Sequence, residues 1–443
     1  RPDGRLVIRA GRLWDGKSAN VQTNVDIVVV NNRIQSIQQG GSARIAGART
    51  IDASNQTVMP GLFESHTHQY IEGKFYGDRL GRLWMAYGVT ELNSVGDPVY
   101  RAQETREAYS SNTRVGPRYF MTGEALDGER VFYNFMRPIM DEQTLQREID
   151  RARAMDYDMV KTYVRLPHAW QKIASDAAHQ MGVYSAAHYM LPGQGFDVDG
   201  QTHVSATTRL GFAYTRSSAG ISYQDMRDVF SQPGAFVIST TFNPSLYAED
   251  PGMVEDRRLQ ILNVPWDQAS LVAKRNTAVS TDQTVSLDSL RKEEETVRAI
   301  LQQGGVALAG TDSPLDNVAT ALHLNLRAQV KFGQEPWRAL QTATLLPARV
   351  IGVEKDLGTV EAGKLADLAF INGDPLRDIK QLANVAGVMK NGRYYSVDDL
   401  MAPFASTPRS TAAVQQRLLP ARSARTDLYW WHDPAQMIED EHK

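Results

Sequence analysis

His66-Thr67-His68 places two imidazoles at positions i and i+2 directly after the apolar stretch Val58-Met59-Pro60-Gly61-Leu62-Phe63. On a strand that spacing puts both rings on one face, where they can grip a divalent ion. Taken alone, a His-x-His pair has little specificity. Two more of the nine histidines stand at the ends of expected strands: His188 after Val183-Tyr184-Ser185-Ala186-Ala187, and His203 after Asp199-Gly200-Gln201-Thr202. Histidines at three separate strand ends are hard to explain as core filling. His168, His179, His323, His432 and His442 fall in helical or tail segments, where solvated or packing roles are expected.

Lys161 lies within Met159-Val160-Lys161-Thr162-Tyr163, at the end of an otherwise apolar strand. A buried lysine either neutralises or finds a partner. A neutral amine can add carbon dioxide to give a carbamate able to bridge two metals; the competing reading is an ion pair with a nearby carboxylate. Asp312 closes Val306-Ala307-Leu308-Ala309-Gly310-Thr311. There a carboxylate can bind metal and relay the proton of an attacking water, or simply cap the following turn.

These residues need a scaffold that gathers strand ends. Short apolar strands are expected around 58–66, 88–95, 118–123, 158–162, 183–188, 201–204, 235–240 and 306–311. They alternate with helix-compatible segments such as 290–301 and 335–343. Eight parallel strands alternating with helices form an α/β barrel of the (β/α)8 type, with the chemistry at the C-terminal strand ends. Before it, 6–10, 25–30 and 33–37 read as an antiparallel sheet; after it, 357–360, 367–370 and 385–390 read as strands that return to that sheet. The expected organisation is a small β-sandwich from 1–57 and 351–398, a barrel over 58–350 and a tail over 399–443. Tyr429-Trp430-Trp431 in the tail would pack on the barrel or make a partner or homo-oligomer contact.

The 443 residues carry a net charge of −3, with 42% hydrophobic and 22% charged residues. That balance shows no basic footprint for nucleic acid and leaves a small molecule or peptide as the expected substrate. No apolar run reaches the roughly 18 residues of a membrane span. With no cysteine, thiolate sites and disulfides are excluded, which suits an exported or periplasmic setting, although a cytoplasmic one is also compatible. The start at Arg1 suggests a processed protein or part of a longer one.

Together these residues resemble the amidohydrolase superfamily. Pro60-Gly61-Leu62 leading into His-x-His is similar to its opening motif, Gly310-Thr311-Asp312-Ser313 to its closing one, and the 357–368 stretch to its return into the small β domain. The wording Glu64-Ser65-His66-Thr67-His68 looks closest to exported members fused to a TolB-like propeller, and the whole is also similar to the imidazolonepropionase/Xaa-Pro dipeptidase-like group. The resemblance implies two divalent ions, zinc by expectation: His66, His68 and Asp312 hold one, His188 and His203 the other, and carboxylated Lys161 bridges them. It also implies hydrolysis of an amide bond by a shared hydroxide, with Asp312 as base and then acid. Glu64 departs from the family's usual aspartate, which bears on ligand orientation.

Tyr163, Arg165 and Tyr189 adjoin ligand positions, and an Arg with a Tyr can fix a substrate carboxylate. A dipeptide or N-acyl amino acid is then the expected substrate; the bland alternative is that the three only line the rim. The same metal pair also serves an esterase, lactonase or phosphotriesterase, and a non-catalytic barrel module is the reading from a different class.

Overall fold

A computed structural model of the chain describes residues 2–69, 77–133, 136–188, 194–204, 221, 223–241 and 244–405. Tyr189 and most of the tail, with Tyr429-Trp430-Trp431, lie outside the described residues.

Both chain regions flanking the central part contribute to one sheet. Strands β1 (Arg5–Trp14), β2 (Val21–Val30), β3 (Arg33–Gln39) and β4 (Arg49–Pro60) come from the first sixty residues. The returning strands β15 (Leu368–Asn372), β16 (Val385–Lys390) and β17 (Arg393–Ser396) follow the central region; the order is β17-β16-β15-β4-β1-β2-β3. The seam is the antiparallel pair β15–β4, in register from Leu368 opposite Pro60 to Asn372 opposite Gln56. Leu6, Ile8, Ile27, Val58, Leu368 and Phe370 share the resulting core.

Two expectations differ here. Val58-Met59-Pro60 belongs to β4 and pairs with β15, so the first central strand begins at Leu62. At the break stands Gly61, where a Cβ would fall 1.7 Å from Thr90 Oγ1. The strand expected at 357–360 is instead a bend, where Gly358 takes φ +85° and interrupts the extended run.

Between these regions each expected central strand is present: β5 (Leu62–Thr67), β6 (Val89–Ser94), β7 (Arg118–Phe120), β10 (Met159–Thr162), β11 (Tyr184–Ala187), β12 (Gly200–Gln201), β13 (Phe236–Ser239) and β14 (Ala307–Ala309). Two short strands, β8 (Leu126–Asp127) and β9 (Arg137–Pro138), were not foreseen. All pairings are parallel, in a three-stranded sheet β5-β6-β7 and a seven-stranded sheet β14-β13-β12-β11-β10-β8-β9. Every residue of β5, β6, β10, β11, β13 and β14 is buried, as parallel strands covered on both faces require.

The two parallel sheets meet where the site lies. Asp312 N donates to His66 O at 2.7 Å, and Thr67 bridges Ser313 in parallel sense. At the other junction Asp158 N donates to Met121 O at 2.8 Å. Met159, Tyr184, Ala186, Phe236, Ile238 and Leu308 pack as one apolar cluster beneath the polar strand ends.

Candidate metal centre

One cavity is lined by all six residues expected to bind metal: His66, His68, Lys161, His188, His203 and Asp312. They come from the C-terminal ends of β5, β10, β11, β12 and β14, so it is the parallel strand direction that gathers them.

His66 is held from both sides. Its Nδ1 donates to the carbonyl of Thr202 at 2.9 Å, and a carbonyl only accepts, so Nδ1 carries the hydrogen. Burial lowers its pKa to about 4, leaving the ring neutral, and Nε2 therefore presents a lone pair. That lone pair faces Asp312 Oδ1 at 3.1 Å. His68 repeats the pattern, Nδ1 donating to Gly96 O and Nε2 lying 2.9 Å from the same Oδ1. Burial opposes charge on His68, but the Asp312 carboxylate outweighs it and raises the pKa. Burial alone would push the Asp312 carboxyl up; His66 and His68 hold it well below the usual range.

His203 Nδ1 is hydrogen-bonded to Thr240 Oγ1, and its Nε2 lies 3.8 Å from Asp312 Oδ2. His188 sits edge-on to His203 with ring centres 4.6 Å apart. Burial, reinforced by neighbouring cationic groups, keeps His188 and His203 well below the ordinary imidazole pKa. Burial also brings Lys161 down to about 7, and its Nζ donates to Thr202 Oγ1.

The donor set fits a divalent cation. A neutral imidazole lone pair and a carboxylate oxygen repel at 3.1 Å unless a positive centre lies between them. His66, His203 and Asp312 each offer a ligand atom, all within 4.8 Å of one another. Nitrogen and carboxylate donors without thiolate suit zinc and similar ions.

Several supporting residues escaped the reading of the sequence. Thr202 serves two ligands at once, by its carbonyl to His66 and its hydroxyl to Lys161. Its adjacency to His203 was the available signal. Asp97 is fully buried and accepts from Gln69 N at 2.9 Å, beside His68, and from Tyr119 Oη at 2.6 Å. Glu64, flagged only as a departure, accepts the backbone N–H of His66 and of Thr311, both at 2.9 Å, and the Thr311 hydroxyl at 3.0 Å. It thus ties β5 to the end of β14. Gly310 is required at that crossing, since a Cβ would stand 2.8 Å from His66 Cβ.

Of the residues expected to touch substrate, Tyr163 lines the cavity and lies 4.4 Å from His188 between ring centres. Arg165 does not line it: its guanidinium donates to Arg130 O at 3.1 Å and sits 5.2 Å from the centre of the Phe132 ring. Away from the site, His323 is buried against Tyr87 O and His179 pairs with Asp199 on the surface, packing and solvated roles respectively.

Residues 247–394 match the amidohydrolase family. The chain is 24% identical over 431 residues to an imidazolonepropionase of Geobacillus sp. (strain WCH70), covering 87% of this chain and 90% of that one. Its fold is similar to that of a solved Xaa-Pro dipeptidase with bound methionine, at TM-score 0.67 and 21% identity, over 89% of this chain and 100% of the other. A putative prolidase from Bifidobacterium longum is similar at TM-score 0.67 and 19% identity, over 92% and 100%. These likenesses mark the chain as an enzyme similar to the amidohydrolases, hydrolases acting on carbon–nitrogen bonds.

Proposed function

We propose that this enzyme is a metal-dependent hydrolase of an amide bond in a dipeptide or N-acyl amino acid. The observation that carries the reading is the convergence of His66, His203 and Asp312, whose ligand atoms all lie within 4.8 Å of one another in the cavity that His68, Lys161 and His188 also line. His66, His68 and Asp312 would hold one divalent ion and His188 and His203 a second, zinc in both places. Lys161, its pKa brought to about 7 by burial, is available as a neutral amine to add carbon dioxide, releasing one proton and forming a bridging carbamate. Bound there, the ions would supply Lewis acidity, polarising the substrate carbonyl and easing ionisation of water.

The protein's own groups carry the proton. The Asp312 carboxylate takes it from the attacking water as the oxygen adds to the carbonyl carbon, and returns it to the nitrogen as the C–N bond breaks, giving a carboxylic acid and an amine. Thr202 and Gly96 hold the two β5 imidazoles in the tautomer that keeps Nε2 free for metal. Tyr163, packed on His188, forms part of the substrate wall.

In this reading β5, β6, β7, β10, β11, β12, β13 and β14 form one eight-stranded barrel beginning at Leu62, with β8 and β9 as additions to it, and the sheet built from both chain regions is the small β domain. The dipeptide choice follows the solved Xaa-Pro dipeptidase of similar fold. A panel of Xaa-Pro dipeptides, N-acetyl amino acids and matching esters tests it. Amide turnover lost on chelation and restored by zinc is expected; turnover confined to esters overturns it.

A further inference from the structure

A second cavity, of about 340 Å³, lies between the helix Val99–Ser111, β7 and the terminal sheet. It shares no lining residue with the metal centre. Arg118, the first residue of β7, is on its wall, so it opens where strands begin, whereas the metal ligands stand where strands end.

The charged side chains on its wall are all cationic; Asp367 and Asp158, which pair with Arg118 and Arg106, stand behind it. Arg106, Arg118, Lys390 and Arg393 line it, and no Asp or Glu does among the described residues. Lys390 is only 8% exposed, and its Nζ donates to Tyr109 O at 2.7 Å, a neutral acceptor. Tyr109 is in the last turn of its helix, so the ammonium also faces the carbonyl end of the helix dipole. That structural role occupies one of three N–H groups and leaves two. It does not account for Arg118, whose Nη2 pairs with Asp367 at 2.9 Å while its buried Nε has no acceptor. Nor does it account for Arg393, whose guanidinium lies 5.0 Å from the Tyr395 ring centre. A buried cationic donor without an acceptor, as Arg118 Nε is, is costly unless a ligand supplies the acceptor oxygen.

We propose that this cavity binds a small phosphate-bearing anion, with Lys390, Arg118 and Arg393 converging on its oxygens. A tetrahedral dianion offers acceptors to several donors at once, and guanidinium groups favour it. The cavity exceeds a bare phosphate and the Tyr395 ring borders it, so both inorganic phosphate and an aryl phosphomonoester fit this chemistry.

The test titrates the full, metal-loaded chain with inorganic phosphate and with phenyl phosphate by calorimetry, at ionic strength matched with sodium chloride. Saturable binding is expected, weakened about tenfold or more in Arg393→Ala and in Lys390→Met with amide hydrolysis unchanged. Tighter phenyl phosphate binding identifies an organic ester as the ligand, and equal binding identifies free phosphate. Should Lys390→Met fail to fold, Arg393→Ala alone decides. No saturable binding, or binding that every folded variant retains within twofold and that therefore belongs to the metal centre, overturns the proposal.

Discussion

The carbonyl of Thr202 accepts the Nδ1 hydrogen of His66 at 2.9 Å, while the hydroxyl of the same threonine accepts from Lys161. One residue thereby fixes an imidazole tautomer and positions an amine from β10, two strands away in the sheet. Replacing Thr202 by Val keeps the first function and removes the second. Metal affinity or kcat is expected to fall roughly 10- to 100-fold with little loss of fold, and Thr202→Ser to restore it. Titration of metal into both variants, with circular dichroism as the control, checks this.

Asp312→Asn retains shape but removes the negative charge and the proton acceptor. A fall in kcat of about 10²- to 10⁴-fold is expected, with KM changed much less, if the carboxylate relays the proton. Steady-state kinetics at saturating zinc separates this from simple loss of metal.

Gly310→Ala would place a Cβ 2.7 Å from Ile238 Cγ2 and 2.9 Å from the backbone nitrogen of His66. Neither neighbour can retreat within a closely packed strand end. Destabilisation of about 1–3 kcal/mol is expected in denaturant unfolding, with metal affinity falling alongside because His66 must shift.

Lys390 gives a pH dependence of known sign. Burial lowers its pKa in the folded chain to about 8 from an ordinary 10.5, so between these values the unfolded chain binds more protons than the folded one. Stability should therefore rise with pH from about 8 toward 10.5, by at most about 3 kcal/mol, and level off above that. Comparing urea unfolding of the natural chain and Lys390→Met at pH 8 and pH 9.5 checks it: the difference between the two pH values should shrink in the variant.

How much of this was visible in the sequence depends on range. Most central strands could be read because they are short, largely apolar runs such as Met159–Thr162, Phe236–Ser239 and Ala307–Ala309, and His66, His68, Lys161, His188, His203 and Asp312 stand at strand ends. The change of sheet at Gly61 could not be read, since Met59-Pro60-Gly61-Leu62-Phe63 is one apolar run and only its hydrogen-bond partners divide it. Glu64, Asp97 and Thr202 act through contacts to distant backbone groups, for which local pattern carries no signal. Arg165 shows the converse: proximity along the chain to Lys161 suggested a substrate contact, while the structure turns its guanidinium toward Arg130 and Phe132.

Counting metal per chain by mass spectrometry, before and after chelation and alongside amide hydrolysis, tests the central claim most directly. The account predicts close to two divalent ions per chain, loss of activity with their removal, and recovery on adding zinc back. A chelated chain that contains no metal and still hydrolyses its amide substrate at the full rate would contradict it.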